Sequence, residues 1–184
     1  MTRFHNALAP AGLALAVALA SAGMSLAQET VLPPDARPMT PEEMHQLYKN
    51  RSWQWESGAG LMRDEGRAFS AWVEDANGPS WAEGKWVLTT SGHMCMRATW
   101  YSASGAFPAE TCFAHQIAGA TIYQKSEPSG QWYVFRHDPP QADDEAAKLV
   151  RSDLVSAQLP AIQAKLHGQR PVTDQRPVAG RRWP

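Results

Sequence analysis

Cysteine is scarce in this chain: two residues, Cys95 and Cys112, among 184. They form no Cys-x-x-Cys motif and have no histidine at zinc-site spacing around them, which argues against a metal site or a redox pair. Neither sign of charge dominates. Lys and Arg total 17 and Asp and Glu 18, for a formal net charge of −1. Nothing in that balance favours nucleic acid or broad electrostatic capture. No apolar run is long enough to span a bilayer, since the longest covers only Ala11 to Ala20 and is flanked or broken by Pro10 and Gly12. Also missing are a Ser-His-Asp order, a paired-carboxylate motif, a Gly-rich phosphate loop and a cluster of metal ligands. The expectation is a chain with no cofactor, no metal and no catalytic residues, with binding favoured over catalysis.

What is present begins with an address. Arg3 and His5 precede the short apolar run, and Ser25-Leu26-Ala27 supplies small residues for cleavage. Residues 1–27 read as a secretory signal peptide, which leaves no transmembrane segment after its removal. No cysteine follows the run to carry a lipid. The expected location is the periplasm or the exterior, where disulfides persist.

The hairpin from His93 to His115 fixes a register. With the turn at Ser102 to Gly105, antiparallel partners place Cys95 opposite Cys112. Directly opposed residues that exchange no hydrogen bonds lie close enough for a disulfide. The same register pairs Arg97 with Glu110, Met94 with Phe113, Met96 with Thr111 and Trp100 with Phe107. A disulfide there closes a loop of about 17 residues and contributes roughly 3 kcal/mol on the chain-entropy model. The preceding turn, Thr90-Ser91-Gly92, decides the next register. A three-residue turn with Gly92 in the left-handed region pairs Leu88 with Met94 and Trp86 with Met96, which keeps one apolar face continuous.

Elsewhere the periodicity marks the elements. Residues 28–39 hold three prolines and read as an extended linker. Thr40-Pro41-Glu42-Glu43 is a capping box opening a short helix, with Met44, Leu47 and Tyr48 as its apolar stripe. From Ser52 the period becomes two, with Trp53 and Trp55 opening the first strand and Gly58-Ala-Gly60 breaking or bulging it. Strands follow over Arg67 to Glu74, Trp81 to Thr89, Thr121 to Lys125 and Gln131 to Arg136. Residues 40–137 make a single β domain. Residues 138–167 read as a helical segment, with Ala142 to Leu166 divided or kinked at Pro160 and its apolar stripe laid over the Trp132 to Phe135 strand. Residues 168–184 read as a disordered tail. The fold class is mainly β: a small antiparallel up-and-down meander, barrel-like or strongly curved, with an N-terminal and a C-terminal helix packed outside.

These residues also resemble a known family. The segments Trp53-Gln-Trp55, Gly58-Ala-Gly60, Phe69-Ser-Ala-Trp72, Ala82-Glu-Gly-Lys-Trp86, Cys95-Met-Arg-Ala-Thr-Trp100, Thr111-Cys-Phe-Ala-His115 and Ile122 through Phe135 occur in the order of the proteobacterial family catalogued as domain of unknown function 995. The resemblance spans roughly Pro41 to His137. It implies an exported protein whose biochemical role is not established, and it carries over no catalytic residue. The Gly-x-Trp that opens lipocalin-type barrels is absent, because Arg51 stands before Ser52-Trp53.

Eight tryptophans, seven of them between Trp53 and Trp132, serve either core packing or a sugar- or apolar-binding surface. His115 falls by parity on the apolar face near Trp86 and Trp100, where it is a core residue, a ligand contact or a base. The candidate ligand-binding residues are Trp86, Trp100, His115 and Tyr123. Three functions follow as expectations: a binding module for a small amphiphile or glycan in the cell envelope, an interaction or inhibitor module for an envelope protein, and a hydrolase using His115. An open apolar cavity would favour the first, a filled interior with an exposed aromatic patch the second, and a carboxylate beside His115 the third.

Overall fold

In the computed structural model, which describes residues 30–169, alternating side chains curl one antiparallel sheet around an apolar face. The expected signal peptide and nearly all of the expected tail lie outside the described residues.

A two-residue strand, β1 (Arg37–Pro38), precedes helix α1 (Pro41–Tyr48). The Thr40 hydroxyl caps the helix by accepting from the Glu43 amide, and the Glu43 carboxylate accepts from the Thr40 amide. Eight strands then meander: β2 (Arg51–Trp55), β3 (Gly58–Met62), β4 (Ala68–Asp75), β5 (Gly78–Leu88), β6 (His93–Ser102), β7 (Gly105–Ala118), β8 (Thr121–Ser126) and β9 (Tyr133–Arg136). The short β10 (Leu149–Val150) pairs with β2, and helix α2 (Leu159–Gln169) follows. The sheet order is β10-β2-β3-β4-β5-β6-β7-β8-β9, with β1 attached to β7. The two ends of the sheet do not pair, so the result is a curled half-barrel.

The registers are those of the continuous apolar face. Leu88 pairs with Met94 and Trp86 with Met96. Cys95 pairs with Cys112, Arg97 with Glu110 and Trp100 with Phe107. Gly92 has φ +81°, and a Cβ there would meet the His115 carbonyl oxygen at 2.8 Å. The turn therefore needs glycine both for its dihedral and for close approach of the two backbones. Cys95 and Cys112 are joined, with Cα atoms 4.0 Å apart, the narrow type of antiparallel pair. Pro108, opposite Thr99, has the same parity, so its nitrogen points away from β6. On that side β8 begins to pair only at Phe113. Proline is tolerated because this stretch of β7 is an open edge.

Of the two readings at Gly58-Ala-Gly60, the strand breaks: a two-residue turn follows Trp55, and the glycines open β3. A Cβ at Gly58 would meet the Trp72 carbonyl at 2.1 Å and the Trp55 indole nitrogen at 2.6 Å, so the glycine makes room for that ring. The stretch from Ala142 to Leu166 is not one helix. It holds a short 3-10 turn over Glu145–Lys148, then β10, then α2. Leu149 and Val150 extend the sheet along the free edge of β2 instead of lining a helix. The Asp153 carboxylate accepts from the amides of Val155 and Ser156, which holds a turn where a helix would have continued. Pro160 lies in the first turn of α2, where its missing N–H costs nothing. The expected cover for the Trp132 to Phe135 strand is consequently supplied by the 3-10 turn, which packs against β9 and β2, while α2 packs on β4 and β5.

The core lies inside the curl. Met44 and Tyr48 of α1 meet Trp53, Met62, Phe69, Trp86, Met94, Ile122 and Phe135. Met39, in the expected linker, is buried with them. Replacing Cys95 and Cys112 together with serine should lower stability by about 3 kcal/mol in urea denaturation. Amide exchange should rise most along residues 105–111, where β7 has only β6 beside it among the described residues.

Candidate functional site

Inside the curl, one polar chain crosses the apolar core. His115 is 1% exposed. Its Nδ1–H donates to the Phe113 carbonyl at 3.1 Å, which leaves Nε2 as an acceptor. The Tyr48 hydroxyl donates to that nitrogen at 2.7 Å. The Gln124 amide nitrogen donates to the Tyr48 oxygen at 2.8 Å and lies 2.8 Å from His115 Nε2. The Gln124 carbonyl accepts from the Tyr133 hydroxyl. Burial pushes the imidazole down to about 4, so His115 is neutral at pH 7. The same cause raises Tyr48 and Tyr133 above the ordinary phenol range. Every member has a partner, and among the described residues His115 meets no carboxylate. Its lone pair faces Tyr48 and Gln124, so nothing in this arrangement activates a nucleophile.

The other expected residues disperse. Trp86 is fully buried, stacked with His45, covered by the Arg67 guanidinium 4.4 Å from its centroid, and bonded through its indole N–H to the Arg63 carbonyl. Trp100 is half-buried at the edge of the core, opposite Phe107, which is 51% exposed. Tyr123 pairs with Gln116, while its neighbour Gln124 pairs with His115, so Tyr123 lies on the opposite face of the sheet. The structure thus sets Trp86, Trp100 and His115 on one face, with the first and last sealed inside, and separates Tyr123 from them.

With the interior filled, concave surface is found outside it. Beside α1 lies a groove of about 360 Å³, lined by Met39, Leu47, Ile117 and Ile122 with Glu42, Glu43 and Gln46 on the helix side and Arg51 and Arg136 on the strand side. Its size is at the low end for small-molecule sites. Glu43 is neutralised by a two-pronged bridge from Arg37, at 2.6 and 2.9 Å, and Arg37 with the Thr40 amide brings its carboxyl down to about 2. Glu42 accepts from Gln46 at 2.6 Å. Burial, and then Arg151 and Arg136, hold the Arg51 guanidinium below its ordinary value. A second cleft, about 440 Å³, separates α2 from Trp81 and Tyr101. Those rings stack on each other at 4.3 Å, so each has one face already covered.

Sequence reasoning placed His115 on the correct face but did not find the groove. The signal available was Arg51 at the start of the first long strand and Arg136 at the end of the last. Only the curl makes them neighbours.

Removing the imidazole with His115→Ala should cost about 2–4 kcal/mol, because Tyr48 and Gln124 lose their shared acceptor. The native chain should also weaken in acid. Below the ordinary histidine value of 6.5 the unfolded chain binds a proton that native His115 refuses until about 4. Stability present in full above pH 6.5 is therefore lost as pH falls toward 4, by about 3 kcal/mol from this group. Urea midpoints measured at pH 7.5, 6, 5 and 4 would show whether the slope has that sign.

Comparisons with known proteins place the chain. No curated protein and no solved structure matches it. A family model does match, over residues 13–155, past the Pro41 to His137 stretch in both directions and into the C-terminal segment. The chain belongs to the family described as "Protein of unknown function (DUF995)".

Proposed function

We propose that this protein is an exported, non-enzymatic binding module of the cell envelope that holds a small amphiphile in the groove beside α1. The observation that carries the reading is the groove itself: an apolar floor of Met39, Leu47, Ile117 and Ile122 bordered by charged groups on two sides. Trp53 and Trp86 are buried in the core and offer a ligand no free face, which directs the reading to the outer surface. An apolar strip beside polar ends suits a molecule with an apolar body and a polar head. A glycan is less well served, because the stacked Trp81 and Tyr101 offer each other the faces that a sugar would use. What supports export is the signal-like stretch at residues 1–27 and the single disulfide, which persists in an oxidising compartment. Among the described residues no helix is long and apolar enough to cross a membrane.

One observation favours a second reading, a module that recruits an envelope protein. Residues 103–111 are all exposed, and among the described residues no strand lies beside the outer edge of β7 from Gly105 to Thr111. Phe107 projects from this arm. A photo-crosslinker at Phe107 should capture a defined envelope partner on this reading, and one at the exposed Asp143 should not.

For the groove, a fluorophore that brightens in apolar surroundings should bind the full chain and be displaced by dodecyl maltoside. Leu47→Gln should weaken displacement by about tenfold, the worth of one leucine contact. Its urea midpoint, measured in parallel, separates lost binding from lost folding.

A further inference from the structure

Among the described residues the arginines divide by whether a partner already engages them. Arg37, Arg63 and Arg97 each face a carboxylate, at 2.6, 3.3 and 2.7 Å. Arg67 lies over the Trp86 ring. Among the described residues, Arg51, Arg136 and Arg151 have no carboxylate within salt-bridge distance, and these three come together. Arg51 and Arg136 line one groove although they sit on strands at opposite ends of the meander. Arg151 follows directly after Val150, which pairs with Ser52, so the register carries it alongside Arg51. Arg51 donates one Nη–H to the Leu149 carbonyl at 3.2 Å, and Arg136 donates one to the Ala120 carbonyl at 3.3 Å. Each bond steadies a guanidinium and leaves further donors free.

Three like charges held together repel one another unless an anion joins them. The carboxylates nearby do not fill that role: Glu43 is committed to Arg37, and Glu42 lines the α1 side of the groove, bonded to Gln46. We propose that Arg51, Arg136 and Arg151 form an anion site at the strand side of the groove, and that it takes the phosphate monoester head of an alkyl or acyl amphiphile. A phosphate monoester carries about −1.5 to −2 at neutral pH and three acceptor oxygens, which matches three guanidiniums better than a single carboxylate does. Guanidinium also presents paired N–H donors at the spacing of two phosphate oxygens. The assignment rests on the groove reading above, since the alkyl chain would lie along Leu47 and Ile117.

Isothermal titration of the full chain with three probes separates the parts. Dodecyl phosphate should bind about tenfold or more tightly than neutral dodecyl maltoside, the worth of one charge-assisted hydrogen bond. The advantage should shrink as salt is raised. Arg51→Gln combined with Arg136→Gln should abolish the advantage, so that dodecyl phosphate and dodecyl maltoside bind this variant alike. Arg151→Gln, at an exposed position where folding is not at stake, should reduce it in part. Arg51→Lys should keep some of it, by retaining charge without the paired donors. Equal binding of the two amphiphiles overturns the anion site and leaves the groove reading standing. Inorganic phosphate binding as tightly as dodecyl phosphate, with sensitivity to the arginines, overturns the amphiphile assignment and shows a site for the free anion. No binding by any of the three overturns both readings.

Discussion

The Tyr48 hydroxyl holds this structure together. It reaches from α1 to His115 on β7 and receives a hydrogen bond from Gln124 on β8, which in turn accepts from Tyr133 on β9. A half-barrel whose end strands never pair has an interior exposed along one side. The helix plugs that interior, and the Tyr48 chain fixes the depth and rotation of the plug. Around it Tyr48, Phe135 and Trp53 pack ring against ring, with centroids about 6 Å apart. Hydrogen bonds in such a low-dielectric setting are strong when complete and costly when broken. This explains how a histidine can lie fully buried and neutral in the centre of an apolar core.

The tryptophans extend the same logic outward. Trp53 donates to Glu145, Trp72 to the Leu154 carbonyl and Trp86 to the Arg63 carbonyl. For Trp53 and Trp72 the indole N–H ties down the C-terminal segment that covers the sheet, and for Trp86 it holds the connection between β3 and β4. Their number is a consequence of the architecture. A sheet with much irregular chain laid over it needs side chains that are apolar over most of their area and polar at one point. Of the two uses that the sequence left open, core packing or a binding surface, core packing accounts for Trp53 and Trp86, while Trp72 serves a third, the attachment of a covering segment.

How far the sequence was legible follows from how local each signal is. The β5-β6-β7 registers were readable because strict alternation leaves only two parities and one of them opposes the cysteines. The capping box at Thr40 and Glu43 was readable because it is complete within four residues. The C-terminal segment was misread because Leu149, Val150, Leu154 and Val155 suit a helical stripe as well as a short strand. What decides between them is the free edge of β2, almost a hundred residues earlier in the chain. His115 was legible as a residue of the apolar face, but its partners Tyr48 and Gln124 carry no motif. Their convergence depends on where α1 sits inside the curl.

The incomplete closure also explains where function can reside. In a closed barrel the first and last strands would hydrogen-bond to each other, and residues at their ends would be spread around a rim. Here β9 stops at Arg136 and β10 extends β2 only through Val150, so an unpaired seam separates them. Arginine at such a seam discourages another chain from adding a strand. That protective role would be met by exposed charges anywhere along either edge. It does not require two of them to share the lining of an apolar groove, nor backbone carbonyls to steady each guanidinium. The seam therefore carries more order than edge protection demands, and that surplus is the physical ground for the proposed anion site.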